Sequence, residues 1–404
     1  MVKTRTIDLG DTELFVSGDP HATWARLRRE RPVYWNGTGD GDGFWALTRY
    51  RDLARVYRDP ATFSSEQGTV MGGSYRSGAD SASGQMLICS DPPEHRLLRQ
   101  QLHQGFTQEM VRRVSHRVAE NVREAVDRFV AAGGGDFATE VAPMLPAGLL
   151  RAVFDLDHDQ IRHLLGLTRA MIGHRDPELQ TGRDESMTLV GTQVEILDLF
   201  AELIEQRRRR PGDDLVSLLL RSEINGRPMT ESQILYNCLN VAVGGDETTP
   251  YTATAGVLAL IEHPEQAERF RRDADLLPTA VEEIFRWTST NAYVRRTATR
   301  DVEIGGTLIS RGQSVTLWNA SANRDEEQFP DADRFDLARS PNQHLAFGIG
   351  AHKCIGMNPA RAEITILFEQ LRSRGLRFAL AGPVERLRSN FMLGIKHLPV
   401  TVTR

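Results

Sequence analysis

The sequence is poor in cysteine, in long apolar runs and in charge of one sign, and each shortage excludes a class of protein. Only three cysteines occur in 404 residues, Cys89, Cys238 and Cys354, without CxxC spacing. We therefore expect no disulfide framework and a reducing, cytoplasmic environment. No run of about eighteen apolar residues is present and the N-terminal stretch is polar, so neither a membrane span nor a signal peptide is expected. The formal net charge of −5 argues against a nucleic-acid partner.

The chain also lacks internal repeats and Pro/Gly/Ser-rich linkers, so we expect residues 1–404 to form a single domain. The apolar periodicity predicts a mainly α protein with a small β region, an α+β fold. Turn residues separate two short apolar runs, 33–35 and 44–47, and predict a hairpin. Residues 64–84 are predicted to form a long loop and 174–185 a flexible connection. Helices are predicted at 20–30, 49–58, 108–131, 143–154, 158–173 and 186–209, and later strands at 301–304 and 315–318.

A glycine-rich stretch, Phe347–Gly356, reads FGIGAHKCIG and precedes a helix predicted to run to about Arg374. Closely spaced glycines permit unusual backbone angles or the close approach of another group. A cysteine just before a helix N-terminus lies where backbone N–H groups and the helix dipole stabilise a thiolate. Cys354 is therefore a candidate metal ligand, and the alternative is a buried cysteine in a turn.

A second unusual stretch interrupts a long predicted helix. The capping box at 230–233 begins a helix of about thirty residues, which ends near Ile261. Two glycines and Pro250 lie in its middle, and Pro250 cannot donate a hydrogen bond to the carbonyl of Asp246. The helix should therefore open or kink beside Glu247 and Thr248. This pattern indicates either a functional groove or a packing kink.

These stretches resemble motifs of the cytochrome P450 family. The FGIGAHKCIG loop fills every fixed position of the haem-ligand motif F-G-x-G-x-H-x-C-x-G. GGDETT at 244–249 resembles the oxygen-activation motif, with Glu where Asp is commoner. D-P-P-x-H-x-x-x-R at 91–99 resembles the helix that holds a haem propionate, although a solvated polar face would also fit, and E-x-x-R at 283–286 resembles the K-helix motif. The motifs follow the family's order from about residue 20 to the end, which implies a P450 fold with a long central helix over a buried haem.

The resemblance implies a role for each matching residue. Cys354 would be the axial ligand of the iron of haem b. Glu247 and Thr248 would supply protons, while Gly245 would leave room for dioxygen. Glu283, Arg286 and Arg334 would form a buried cluster that pins the segment before the cysteine loop. The remaining haem-binding positions would be His95, Arg99, Arg296, His352, Phe347, Gly348, Gly350 and Gly356.

Two local features near these motifs carry further expectations. Asp91 is expected to cap the helix that begins with Pro92-Pro93-Glu94. The family often has a proline where this chain has Thr290, so the resemblance does not determine the backbone path of residues 289–294.

The resemblance implies a monooxygenase that inserts one oxygen atom from O2 into a medium-sized organic substrate, either free or carried by a carrier protein. We expect a tailoring step in natural-product biosynthesis. The alternatives are steroid, fatty-acid or terpenoid catabolism, oxidative coupling or desaturation without oxygen insertion, and a non-enzymatic haem or carrier-protein binding module. The mostly apolar candidate substrate-binding residues are Met86, Leu87, Ile88, Met171, Val241, Ala242, Gly244, Asn291, Ala292, Val294, Phe391 and Met392.

The resemblance also implies external electron donors. Electrons would pass from NAD(P)H through a separate ferredoxin or flavodoxin-type protein to a monomeric enzyme. Lys353 and the Arg112–Arg113 pair are candidates for its docking face, or they are ordinary solubility charges.

Overall fold

The computed structural model describes residues 7–38, 42–71, 82–181 and 184–404, which are mostly helical with small sheets. Its helices are α1 (Glu13–Val16), α2 (Pro20–Glu30), α3 (Tyr50–Arg58), α4 (Glu94–His103), α5 (Gln108–Ala131), α6 (Phe137–Glu140), α7 (Met144–Phe154), α8 (His158–Ile172), α9 (Glu185–Arg209), α10 (Leu215–Leu220), α11 (Glu231–Asp246), α12 (Thr248–Glu262), α13 (Pro264–Arg272), α14 (Leu277–Thr288), α15 (Asn319–Ala322) and α16 (Met357–Ser373). Its strands are β1 (Val33–Gly37), β2 (Gly43–Leu47), β3 (Phe63–Ser64), β4 (Gly134–Asp136), β5 (Glu223–Ile224), β6 (Arg227–Pro228), β7 (Val294–Ala298), β8 (Val302–Ile304), β9 (Thr307–Ile309), β10 (Ser314–Leu317), β11 (Arg377–Leu380), β12 (Glu385–Arg386), β13 (Ile395–His397) and β14 (Pro399–Thr403).

Most predicted elements are confirmed within one or two residues. Helices α2, α3, α5, α7, α8 and α9 match the periodic segments, and β1 and β2 form the predicted antiparallel hairpin. The predicted loop at 64–84 lies partly outside the described residues, and so does part of the connection at 174–185. Trp318 was predicted to be in a strand, but it lies at the N-terminus of α15.

The prediction that Asp91 caps α4 is wrong. The residue at the N-cap is Pro93, and no side chain bonds the first turn. The Asp91 carboxylate instead accepts a hydrogen bond from the backbone N–H of Ser65 at 2.8 Å. Asp91 therefore ties the segment after β3 to the start of α4, which places α4 beside the loop that precedes it.

The largest sheet joins distant parts of the chain in the order β1-β2-β10-β7-β3. The N-terminal hairpin contributes β1 and β2, and β10 pairs with β2 in parallel. β7 then pairs antiparallel with both β10 and β3. Arg295 and Arg296 on β7 are consequently buried, with 9% and 5% of their surface exposed.

The main core lies among the long helices. Helices α5 and α7 cross closely, because a Cβ on Gly148 would lie 2.7 Å from Cγ2 of Val118 and 2.9 Å from its backbone nitrogen. Helix α12 packs on α14 and α16 at Gly256, where a Cβ would lie 2.7 Å from Cζ of Phe368. These crossings hold α5 against α7, and α12 against α14 and α16, in fixed positions.

One stretch of the described residues, Phe137–Phe154, is long and apolar enough to cross a membrane by length and composition alone. It consists of α6, α7 and the turn between them, and 61% of it is buried inside the fold. This burial is what a core helix shows.

Candidate active site

The cysteine loop is a tight turn that runs directly into α16. Cys354 donates its backbone N–H to the carbonyl of Phe347 at 2.9 Å. Gly348 and Gly350 have φ of 59° and 75°, which favour glycine. A Cβ on Gly350 would also lie 2.6 Å from the backbone oxygen of Tyr57. The glycines therefore let the loop turn while it lies against the C-terminal end of α3.

The Cys354 side chain differs from the other two cysteines. Cys89 and Cys238 are buried, whereas Cys354 is exposed. Nevertheless burial among surrounding groups raises the pKa of the Cys354 thiol, and the Gly356 N–H, which donates to the sulfur, and Arg99 oppose that rise. The residue is thus exposed over part of its surface, while neighbouring groups enclose its sulfur. The expected net stabilisation of the thiolate does not occur in the protein alone, because burial has the larger effect.

Four basic side chains from α4, β7 and the cysteine loop meet near Cys354. The His95 and His352 rings have centroids 4.0 Å apart. Arg99 donates to the carbonyl of Lys353 at 2.6 Å, and its charge acts on both rings together with that of Arg296. Burial and these arginines lower the pKa of His352 to about 2, and burial together with Arg99 lowers the pKa of His95 to about 4. All four predicted propionate-binding residues are therefore brought together.

The residues of this region fit haem b. The buried Nε2 of His95 has no hydrogen-bond partner among the described residues, and an orphaned polar atom in such a place indicates a missing acceptor. A ring nitrogen beside two guanidinium groups suits an anion such as a propionate. Cys354 would hold the iron, and His95, Arg99, Arg296 and His352 would hold the propionates.

The long predicted helix is broken as expected. The capping box at Thr230 and Gln233 begins α11. Glu247 separates α11 from α12, three residues before Pro250. At the break Thr248 donates to the carbonyl of Gly244 at 2.8 Å. Gly244 is exposed although its neighbours on the helix are buried or partly buried, so Gly244 and Thr248 face an accessible space.

Gly245 does not face this space. A Cβ on Gly245 would lie 2.5 Å from Cδ2 of Leu149 on α7, whereas a Cβ on Gly244 would meet nothing within 4 Å. Adjacent residues on a helix point about 100° apart, so only one of the two glycines can face the open side. The expectation that Gly245 leaves room for dioxygen is therefore wrong; Gly245 permits helix packing, and Gly244 lines the open side.

The Glu247 carboxyl also points away from Thr248. Its Oε1 accepts from the Thr168 hydroxyl of α8 at 3.3 Å. Burial raises the pKa of Glu247 to about 7, and Arg169 opposes the rise. Tyr251 approaches the same carboxyl without a hydrogen bond of normal geometry. Thr168, Arg169 and Tyr251 were missed by the sequence analysis; spacing on α12 could have suggested Tyr251, but nothing in the sequence links α8 to the break.

The buried ion cluster behind the loop contains a different arginine from the one predicted. Arg286 donates to both oxygens of Glu283 at 2.7 Å, and both side chains are fully buried. The second arginine at Glu283 is Arg339, with Nε 3.2 Å from Oε2. Arg334 is exposed and contributes only its backbone carbonyl, which accepts from Arg286 at 3.0 Å. The prediction of Arg334 as the third charged member is therefore wrong.

Phe347 packs within the helix layer behind the loop. Its ring centroid lies 4.7 Å from that of Phe285, and the Arg361 guanidinium lies 4.9 Å from it. Arg361 in turn donates to both oxygens of Glu282 at 2.7 Å. These contacts hold the first residue of the loop.

Some of the predicted substrate-binding residues are buried, and others have accessible surface. Ala242 and Ala292 have no exposed surface and pack in the core, so they do not reach an accessible space. Met86, Leu87 and Met392 are almost fully buried, and Val241 is 8% exposed. The residues with accessible surface are Ile88, Met171, Gly244, Asn291, Val294 and Phe391.

The segment around Thr290 takes a defined path. Its hydroxyl lies 2.8 Å from the hydroxyl of Thr252 on α12, and its carbonyl accepts from the N–H of Leu393 at 2.8 Å. An isolated bridge also pairs Asn291 with Met392. A threonine replaces proline here without loss of order, because its side chain ties the segment to α12.

Comparisons with known proteins agree with this site. A family model described as Cytochrome P450 matches residues 186–374. Linalool 8-monooxygenase of Pseudomonas putida is 36% identical over 98% of this chain and 98% of its own length. The structure of Mycobacterium marinum cytochrome P450 CYP268A2 in complex with pseudoionone has a TM-score of 0.90 and 32% identity, covering 98% of each chain. The structure of P450 OxyD, involved in the biosynthesis of vancomycin-type antibiotics, has a TM-score of 0.86 and 33% identity, covering 98% of this chain and 100% of that one.

The chain therefore belongs to the cytochrome P450 family and has its fold. It is a cytochrome P450 monooxygenase similar to enzymes of bacteria. Membership implies a haem cofactor, a redox partner and a small-molecule substrate.

Proposed function

We propose that this monooxygenase oxidises a medium-sized, largely apolar organic molecule in the space bounded by Gly244 and Thr248. The observation that carries the proposal is Cys354, the one exposed cysteine, enclosed beside an orphaned His95 and two arginines. When bound through Cys354, haem supplies the activation of O2 that transfers one oxygen atom to the substrate.

The chain's own residues would hold and move the protons that this chemistry consumes. Glu247, with a pKa raised to about 7, can hold or release a proton near neutral pH. Its carboxyl faces Thr168 in the present arrangement, so it must rotate to reach Thr248. The Thr248 hydroxyl, anchored on the carbonyl of Gly244, is the group nearest the accessible side of the break.

For the biological role we infer a tailoring step in natural-product biosynthesis, with a substrate that is free or attached to a carrier protein. The likeness to OxyD and the partly buried apolar side chains Ile88, Met171 and Phe391 support this role. The second candidate is terpenoid oxidation, favoured by the likeness to linalool 8-monooxygenase and to the cytochrome P450 in complex with pseudoionone. Electrons would come from NAD(P)H through a ferredoxin or flavodoxin-type donor to a cytoplasmic monomer.

The ligand assignment is tested by replacing Cys354. In the wild type, reduced and CO-bound, we expect the strongly red-shifted Soret band of a thiolate-ligated haem. Cys354→His should abolish this band, because imidazole replaces the thiolate, whereas Cys238→Ser should retain it because Cys238 is buried in the core. A band that persists in Cys354→His would overturn the assignment.

The substrate class is tested by the spin state of the ferric haem. Acyclic terpenoid alcohols, steroids, fatty acids and aromatic peptides are titrated in turn, and a shift of the haem-bound protein from low spin to high spin reports binding. A response to the terpenoids alone would support the second candidate, and a response to the peptides alone the tailoring role. Product mass after turnover in ¹⁸O2 then separates oxygen insertion from coupling or desaturation.

A further inference from the structure

Two buried carboxyls at the helix break share a single hydroxyl. The Thr168 hydroxyl lies 3.2 Å from Oδ2 of Asp246 and 3.3 Å from Oε1 of Glu247. It also lies 3.2 Å from the carbonyl of Leu165. A hydroxyl has one hydrogen to donate, whereas an ionised carboxylate can only accept. Two ionised carboxylates therefore cannot both bond Thr168, and at least one of the two must carry a proton and donate it.

The neighbouring charges indicate which carboxyl holds the proton. Asp246 is 1% exposed, and the charges that act on it, those of Glu247 and Glu363, have the same sign as its own. Its Oδ1 has no hydrogen-bond partner among the described residues. Glu247 instead has the Arg169 guanidinium nearby. A buried carboxyl facing only like charges is stable as the neutral acid.

The remaining groups packed around Asp246 do not change this assignment. Glu363 of α16 is 1% exposed, and burial raises its pKa to about 8. Both of its oxygens lack a hydrogen bond of normal geometry within the described residues, although Thr249 approaches them. Tyr251 lies beyond Glu247 and feels the charge of Asp176, and burial raises its pKa as well.

We propose that Asp246 is a positioning residue that is a neutral acid at rest, donates to Thr168, and through Thr168 holds and re-protonates Glu247. In this arrangement Asp246 donates to Oγ1 of Thr168, and the Thr168 hydrogen points to Oε1 of Glu247. When Glu247 gives up its proton toward Thr248, the Thr168 hydrogen moves to Glu247 and the Asp246 proton replaces it. Asp246 is left ionised until it takes a proton from solvent, so atoms and charge balance. This inference rests on the proposed function of Glu247.

The first measurement compares the free energy of unfolding of wild type and Asp246→Asn across pH. Asparagine keeps a donor for Thr168 but cannot ionise. Because the pKa of Asp246 is raised in the folded state, the stability of the wild type is fully present below the unfolded value of about 4 and is lost as pH rises toward the folded value. Between these two pKa values, the ratio of the two unfolding constants should change by up to about tenfold per pH unit in favour of Asp246→Asn. Glu247 and Glu363 are present in both proteins, so the comparison removes the part of their titration that does not depend on Asp246.

The second measurement is the coupling of electron consumption to product. It compares the amount of product formed with the amount of peroxide released per electron consumed. Asp246→Asn should fold and bind substrate, yet release more peroxide, with the loss growing as pH rises because solvent protons become scarce. Thr168→Val should behave alike, and Thr168→Ser, which keeps the hydroxyl, should restore coupling. A stability difference that does not vary with pH would show that Asp246 is ionised and would overturn the proposal. Coupling equal to wild type at every pH would overturn the role in re-protonation.

These outcomes are distinguishable from failure of the proposed function. If the wild type itself shows no thiolate-type CO band or no substrate-dependent electron consumption, the proposed function fails. The pH dependence of unfolding would still report whether Asp246 is neutral.

Discussion

The buried ion cluster around Glu283 gives a testable prediction, because the side chain of Arg339 contacts the Glu283 carboxylate and that of Arg334 does not. Arg339 is largely buried and contacts the fully buried Glu283 carboxylate through Nε. It also donates to the carbonyls of Pro330, Asp331 and Arg334 at 2.7, 3.0 and 3.0 Å. The Arg339 side chain therefore links the two ends of the segment 330–339, which precedes the cysteine loop.

The cost of Arg339→Ala follows from these contacts. Breaking a buried ion pair costs about 3–5 kcal/mol when the remaining charge is left alone. Glu283 is not left alone, because Arg286, the N–H of Asp336 and the amide of Asn342 still bond it. Three charge-assisted bonds to carbonyls are lost as well, but those carbonyls can be rehydrated. We expect a loss of about 2–4 kcal/mol in the free energy of unfolding.

Urea unfolding of the haem-bound protein measures this change, with Arg334→Ala as the matched control. Arg334 contributes only its backbone carbonyl, which alanine retains, so its replacement should stay within about 0.5 kcal/mol of wild type. A second readout is the CO-bound spectrum, in which Arg339→Ala should lose part of the thiolate-type band on mild warming. Equal costs for the two variants, or a larger cost for Arg334→Ala, would refute the assignment of Arg339 to the cluster.

Two further predictions concern packing and pH. Gly148→Ala should lower the free energy of unfolding by about 1–3 kcal/mol in thermal or urea unfolding, because the new Cβ meets the Val118 backbone. The control Gly191→Ala on α9, which has nothing near its Cβ, should raise the free energy of unfolding by up to about 1 kcal/mol. Similar effects at both sites would contradict the close crossing of α5 and α7. His397 lies 2.5 Å from Asp136 and 2.7 Å from Glu178, and the hydrogen bond to Asp136 raises the pKa of His397. The stability that His397 contributes is therefore fully present below its unfolded-state pKa of about 6.5 and is lost as pH rises through its folded-state pKa. His397→Gln should therefore reduce stability more at pH 6 than at pH 9 in urea unfolding; a cost at His397 that is equal at both pH values would contradict a charged His397.

The parts of the fold that were predictable are those specified by local patterns. Apolar periodicity located the helices, and the capping box at Thr230 located the start of α11. The opening of the helix near Glu247 followed from Pro250, because the missing donor is a local property. The glycine-rich loop before α16 was predictable for the same reason.

The wrong predictions concern residues whose positions depend on contacts between distant parts of the chain. Arg334 and Arg339 lie in the same turn-rich segment, and only the path of that segment decides which guanidinium reaches Glu283. Gly244 and Gly245 are equivalent in sequence until Leu149 of α7 is placed against one of them. Thr168 lies 79 positions before Glu247, and no spacing rule connects them.

The order of strands in the largest sheet has a consequence for synthesis of the chain on the ribosome. The hairpin of β1 and β2 leaves the ribosome early, but its parallel partner β10 ends only at Leu317. At about 5–20 residues per second, roughly 270 further residues must be made, so the free edge of β2 waits on the order of 15–50 s for its neighbour. During that interval the edge is open to pairing with other chains. Expression at high levels should therefore favour aggregation through the N-terminal hairpin before the haem site can form.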